Sequence, residues 1–325
     1  MNHNRSLAGH AAAAITVLIW GTTFISTKVL LRTFTPVEIL FIRFVMGYLA
    51  LWLACPRRLC LSSLRQEGLF AAAGLCGVTL YYLLENIALT YTLASNVGVI
   101  ISIAPFFTAI LSFMFLGGEK PRPRFFAGFL LAMAGICLIS FGSEAALSLN
   151  PMGDLLAVAA AMIWAVYSTL TRKISALGLG TIQTTRRTFF YGLLFMAPAL
   201  TVMDFSVALS QFTQMKHLLN LLFLGLGASA LCFVTWNIGV KVLGSVKTSV
   251  YIYMVPVITT LTSALILHEP VTVPAALGII LTLAGLFLSE KKPEKQCAGK
   301  YDGKHDDTHT DKGEPAIWTA KAKNV

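Results

Sequence analysis

Ten apolar runs of about twenty residues, separated by short polar breaks, constrain this chain more than anything else in it. They fall at about Ala11 to Leu31, Pro36 to Cys55, Gly68 to Leu89, Val97 to Leu116 and Phe125 to Phe141. After a polar, glycine-containing break they resume at about Met152 to Leu170, Thr181 to Val202, Leu218 to Val240, Ser249 to Leu267 and Val271 to Leu288. A hydrocarbon core roughly 30 Å thick is crossed by about twenty helical residues at 1.5 Å each. The chain therefore reads as an all-α polytopic membrane protein with ten transmembrane helices. With 56% hydrophobic and 12% charged residues it has too little polar surface for an ordinary water-soluble domain. The first run is too long for a cleaved signal peptide and lacks a clear cleavage site, so it is expected to remain as the first span.

The formal charge of +10 points to orientation rather than to nucleic acid, because the cations alternate from loop to loop. One side collects Arg5, then Arg57, Arg58 and Arg65, then Lys120, Arg122 and Arg124, then Arg172 and Lys173 with Arg186 and Arg187, then Lys241 and Lys247, and finally eight tail lysines. Opposite loops hold only Arg32 and Lys216. Both termini are therefore expected in the cytoplasm of a bacterial-type cell, in its inner membrane. The organisation expected is a cytoplasmic N-terminus at 1–10, a first five-helix repeat at 11–143, a second at 152–290, and a disordered cytoplasmic tail at 291–325.

An internal repeat supports that division. At an offset of 144, Ile19-Trp20 recurs as Ile163-Trp164, Lys28 falls on Arg172 and Arg43 on Arg187. At 151, Gly74 meets Gly225, Asn86-Ile87 meets Asn237-Ile238 and Pro105 meets Pro256. At 150, Glu119 meets Glu269, Gly128 meets Gly278 and Ala134-Gly135 meets Ala284-Gly285. Five helices is an odd number, so the second copy enters the membrane in the opposite sense. Inverted repeats give two conformations of similar energy, open to one side or the other, which is the geometry of alternating access.

These residues resemble the drug/metabolite transporter superfamily, specifically its EamA-type ten-helix branch, over roughly 11–290. The likeness rests on Trp20, Gly21 and Lys28, on Pro36 and Arg43, on Glu85-Asn86-Ile87-Ala88-Leu89, on Ala94, Ser95 and Asn96 leading to Pro105, and on Gly118-Glu119-Lys120. It implies a central cavity lined by helices 1 to 4 and 6 to 9, with helices 5 and 10 peripheral, and export of amino acids or related metabolites. The second copy departs from the first at Glu85, whose repeat position is Trp236.

Candidate solute-binding or gating residues follow from chemistry out of place in lipid. Lys28, Arg43 and Glu85 are ionisable groups inside apolar runs and should face the bundle interior. Glu85 is expected to pair with Lys28 or Arg43, although Lys28 has the alternative of snorkelling to headgroups. As the one carboxylate well within a span, Glu85 is also the candidate for proton coupling. Pro105 and Pro256 interrupt corresponding helices near mid-span, where they either mark the solute site or serve as packing kinks. Trp20 and Trp164 are repeat-equivalent and mid-span, and Tyr82, Tyr167 and Trp236 add aromatic surface, for stacking on a solute or for core packing. Asn86 and Asn237 either bind solute or hydrogen-bond between helices. The basic Lys28 and Arg43 tilt the expectation toward a solute with a carboxylate. Glu119 and Glu269 are expected to stabilise the start of the following helix. Gly128, Ala132, Gly135, Gly278 and Gly285 are expected at close helix contacts, within the chain or between subunits.

Six cysteines (Cys55, Cys60, Cys76, Cys137, Cys232, Cys297) show neither CxxC nor metal spacing and are expected as free thiols. A weak metal reading of His305 to His309 gives way to a solvated tail. No metal or other cofactor is expected; the partners are a small solute and the lipid bilayer, with oligomeric state open between monomer and homodimer. The functional reading is a secondary transporter exporting a small metabolite. Its rivals are a channel, an uptake permease, and an intramembrane enzyme, for which no paired acid/base or nucleophile site can be assembled.

Overall fold

Leucine-, alanine- and phenylalanine-rich runs with no free sheet partner satisfy their backbone internally, and the computed structural model shows helices throughout its described residues. These are 3–61, 63–92, 94–117, 120–141, 150–203, 205–206, 212–267 and 272–290. The expectations placed on Gly118, Glu119, Glu269, His268, Cys297, His305 to His309, the break at 142–149 and the tail at 291–325 lie outside them, as do the side chains of Ala94, Ser95 and Asn96.

The first half comprises α1 (His3–Leu30), α2 (Pro36–Ala54), α3 (Leu64–Gly74), a π-helical segment π1 (Leu75–Leu80), α4 (Tyr81–Tyr91), α5 (Ala94–Ile101), α6 (Ala104–Leu116) and α7 (Pro123–Phe141). The second comprises α8 (Pro151–Ser175), α9 (Thr181–Val202), α10 (Met215–Leu222), π2 (Phe223–Leu231), α11 (Cys232–Leu243), α12 (Ser245–Val250), a 3-10 turn at Tyr251–Tyr253, α13 (Met254–Leu267) and α14 (Val273–Glu290). Local signals set several boundaries. Thr35 and Glu38 form a capping box before α2, with Pro36 in its first turn. The Asn150 side chain accepts from Gly153 N at the start of α8. Gly117 ends α6 at φ +60, where a side chain would be strained.

Among the described residues, six stretches are long and apolar enough to cross a membrane: Asn4–Leu30, Pro36–Ala54, Leu64–Tyr91, Val97–Leu116, Pro151–Ser175 and Met215–Leu243. Two shorter apolar helices, Pro123–Ile139 and Val273–Ser289, join them. The other two expected spans fall short for visible reasons. α9 begins with a polar third containing Arg186 and Arg187 and holds Pro198 internally, and residues 245–267 are broken by the 3-10 turn. Helix α1 also starts eight residues before its apolar run, since nothing between His3 and His10 breaks a helix. There Gly9 faces Val242 and His10 Nδ1 lies 2.7 Å from Tyr251 Oη.

Equivalent features of the two halves meet across the molecule. π1 and π2 occupy matching positions, and each abuts a close approach made possible by glycine. A Cβ on Gly74 would lie 2.6 Å from Gly192 N, and one on Gly47 3.2 Å from Gly225 O. Gly47 and Gly192 are themselves related by an offset of 145. Helices α7 and α14 pack antiparallel, with Gly128 against Gly285 and Gly135 against Gly278. The repeat offset of 150 converts one of those contacts into the other, as a pseudo-twofold axis requires. The glycines expected at close contacts thus serve an internal interface.

Loop contacts sort to two ends. At one end Thr33 meets His217, Asn150 donates to Tyr91 O, and Ser206 N donates to Glu38, joining the connections after α1, α4, α7 and α9. At the other, Arg186 donates to the carbonyls of Cys55 and Arg57, and Lys241 to Leu179 O. The five described cysteines, Cys55, Cys60, Cys76, Cys137 and Cys232, are free thiols.

Candidate functional site

Between the halves, buried aromatic rings surround a small cavity of about 30 Å³. Its wall is built from α1 (Trp20, Thr23, Phe24), α4 (Tyr81, Tyr82, Glu85), Ile101 at the end of α5, Trp164 of α8, and Ile252 and Val255 beside the second helix break. Trp20 and Trp164 touch edge to face with centroids 5.1 Å apart. Being repeat-equivalent and in contact, they lie at the pseudo-twofold axis. Trp236 lies 5.2 Å from Trp20 and 5.5 Å from Trp164, Tyr81 4.7 Å from Trp164, and Tyr82 4.7 Å from Tyr81. Trp20 Nε1 is fixed by donation to Ala228 O at 3.1 Å, a carbonyl within π2. Irregular backbone of this kind presents carbonyls that an α-helix would use internally.

Glu85 is the one carboxylate in this wall. It is buried at 6% exposure, and its Oε2 has no hydrogen-bond partner. The expected direct ion pair with Lys28 or Arg43 is not made, although the Arg43 charge lies near enough to act on Glu85. Lys28 Nζ instead donates to Leu89 O at 2.7 Å and Thr92 O at 3.1 Å, capping the carbonyl end of α4. Its repeat partner Arg172 does the same for α11, donating to Val240 O at 3.2 Å and Lys241 O at 3.0 Å. Arg43 donates through Nε to Ser229 Oγ at 2.9 Å and lays its guanidinium 4.4 Å from the Tyr82 ring centroid, while its Nη2 is buried without a hydrogen-bond partner. Helix-end carbonyls satisfy Lys28, and Arg43 is held by Ser229 and the Tyr82 ring without lining the cavity, so Glu85 is the charged group in the wall. Arg187, the repeat partner of Arg43, is different again, forming an ion pair with Glu67 at 2.5 Å that Tyr191 supports.

Four of the twelve candidates, Trp20, Tyr82, Glu85 and Trp164, thus line one cavity. Tyr167 stands behind Trp164, ring to ring at 4.9 Å, and donates to Asn237 Oδ1 at 3.0 Å. Asn237 Nδ2 donates to Thr185 Oγ1, and Asn86 Nδ2 to Pro36 O, so both asparagines bridge between helices. Pro105 and Pro256 stand in the first turns of α6 and α13, just past the breaks at 102–103 and 251–253. Ser102 donates to Gly98 O, Thr108 to Ala104 O, and Thr259 to both Val255 O and Gly21 O, so hydroxyls absorb carbonyls at the interruptions. Phe233 was not among the candidates, yet it packs on Phe44, Tyr82, Trp164, Tyr167 and Phe189. The signal was present: at the offset of 151, Phe233 is the repeat position of Tyr82, and Ile252 that of Ile101.

The sequence profile described as the EamA-like transporter family matches residues 7–141 and again 151–290. An uncharacterized transporter of Archaeoglobus fulgidus is 31% identical over 287 residues, covering 87% of this chain and 97% of its own. A probable terminal-alkyne amino-acid exporter of Streptantibioticus cattleyicolor is 25% identical, covering 86% and 93%. The aromatic amino acid exporter YddG of Ancylobacter novellus is 27% identical over 218 residues, covering 62% and 68%. A solved crystal structure superposes with a TM-score of 0.68 at 23% identity, covering 89% of this chain and 97% of its own, which shows a shared fold.

Proposed function

Since this chain belongs to the EamA-like transporter family, we propose that it is a secondary carrier that exports a small organic amine, an amino acid or a relative of one, by alternating access. The observation carrying the substrate class is the partnerless, buried Oε2 of Glu85 in a wall otherwise made of Trp20, Tyr81, Tyr82, Trp164 and aliphatic groups. A carboxylate in such surroundings is costly unless a cation meets it, and tryptophan and tyrosine faces attract ammonium groups. The apolar body of the solute then packs on the rings. Lys28 is committed to the carbonyls that end α4, and neither it nor Arg43 lines the cavity, so the carboxylate of Glu85 is the charged group that meets the solute there. Two relatives named as amino-acid exporters agree with that chemistry.

The proposal takes ten crossings arranged as two inverted repeats over 11–143 and 152–290. Antiparallel α7 and α14 and the sorting of alternate loops to two ends support it. The end bearing Arg57, Arg58, Arg65, Lys173 and Lys241 is cytoplasmic by the positive-inside rule, which puts the N-terminus there too. The Lys28 cap then lies at the outer end and the Arg172 cap at the inner end.

Purified protein in liposomes tests the proposal. Saturable counterflow is expected for at least one amino acid or monoamine with an aromatic or aliphatic body, with no flux of the corresponding acid lacking the amino group. Transport of the deaminated acid in preference to the amine would overturn the substrate class, and non-saturable flux would replace the carrier with a channel.

A further inference from the structure

Away from the central cavity, the cytoplasmic end carries a second, open pocket of about 470 Å³. It lies where the ends of α6 and α8 meet the junction of α11 and α12, and its lining includes Arg172, Lys173, Lys241 and Lys247 with Ser112 and Ser245, and no carboxylate. Two of the four cations are already engaged: Arg172 caps α11, and Lys241 donates to Leu179 O at 3.2 Å. Among the described residues Lys173 and Lys247 make neither a hydrogen bond nor an ion pair; Lys173 rests its ammonium 5.9 Å from the Phe115 ring centroid. Gly244, at φ +93, keeps the backbone of the junction open toward the same space.

Four positive charges converging without a counter-charge among the described residues repel one another, and nothing in the carbonyl caps requires Lys173 or Lys247 to be cationic. Beside the pocket, the last turn of α6 exposes Phe113 (45%), Met114 (63%) and Phe115 (57%). Charge at the mouth and apolar surface alongside it, at the edge of a membrane-spanning bundle, match a molecule with an anionic head and hydrocarbon chains. We propose that this pocket binds the phosphodiester headgroup of an anionic phospholipid of the cytoplasmic leaflet, with Lys173 and Lys247 on the phosphate and an acyl chain along Phe115 and Met114. Bound there, the lipid ties α6 to the α11–α12 junction, across the cytoplasmic ends of both repeats.

Native mass spectrometry of the detergent-purified protein, titrated with phosphatidylglycerol, phosphatidylcholine or inorganic phosphate, tests this. At least one phosphatidylglycerol is expected to stay bound where phosphatidylcholine dissociates, and the double variant Lys173→Gln with Lys247→Gln is expected to weaken it roughly 30-fold. Lys173→Arg with Lys247→Arg should restore binding. Arg57→Gln with Arg58→Gln removes the same charge from exposed positions at the same end, outside the pocket, and should leave the lipid in place. Equal loss in that control, equal retention of phosphatidylcholine, or phosphate binding as tightly as phosphatidylglycerol would each overturn the assignment.

Discussion

Glu85→Gln is expected to reduce counterflow of the transported amine by about 10- to 150-fold while leaving the protein as stable as before or more so. The loss follows from a charge-assisted hydrogen bond of roughly 1.5–3 kcal/mol between ammonium and carboxylate, converted at about 1.4 kcal/mol per tenfold. Unchanged or raised stability follows from the same group's surroundings. Its Oε2 has no hydrogen-bond partner in the cavity, so the cost of burying a carboxylate is returned only in part, by the nearby Arg43 charge. Replacing it by a neutral isostere relieves that cost. Thermal unfolding in detergent and counterflow on one preparation read both signs. A residue that merely held α4 in place would show the opposite pattern, with stability falling alongside transport.

The second large effect is structural. Gly135→Leu is expected to destabilise the bundle by about 3 kcal/mol or more, because a Cβ there would lie 2.6 Å from both Gly278 O and Thr282 N. Backbone cannot rotate aside as a flexible side chain can, so α7 and α14 must separate along their whole antiparallel contact. Gly68→Leu is the matched control, since nothing lies within 4 Å of its Cβ position. Size-exclusion profiles and unfolding temperatures should show Gly135→Leu aggregated or strongly destabilised and Gly68→Leu close to the parent. Similar behaviour of the two variants would mean that the glycine seam does not hold these helices together.

Much of this architecture was legible before any coordinates, because hydropathy reports burial in lipid and because a duplicated unit leaves matched residues at fixed offsets. The pairing of Trp20 with Trp164 could be read from spacing alone, and Phe233 could have been. What stayed hidden has a common physical cause. The partners of Lys28 and Arg172 are carbonyls, which every residue possesses and no residue type announces. That is why the charge expected for Glu85 was found capping α4 instead. The π segments were equally silent, since a bulge alters backbone register without altering composition, although glycines at 74, 77, 225 and 227 mark where one is tolerated. The polar start of α9 shows the converse error. A helix that buries Arg186 among carbonyls of the connection between α2 and α3 need not look uniformly apolar.

The proposed transport cycle requires one cavity that faces each side of the membrane in turn, and sided labelling of its wall reads this directly. Thr23→Cys, in a background with the six native cysteines replaced, places a thiol in the lining. A membrane-impermeant maleimide is predicted to reach it from either face, in right-side-out and in inverted vesicles. Cross-linking Arg32→Cys to Tyr91→Cys, which closes the end capped by Lys28, is predicted to leave labelling from the cytoplasmic face only. Labelling from one face under every condition, or undiminished labelling from the outer face after the cross-link, would contradict the account.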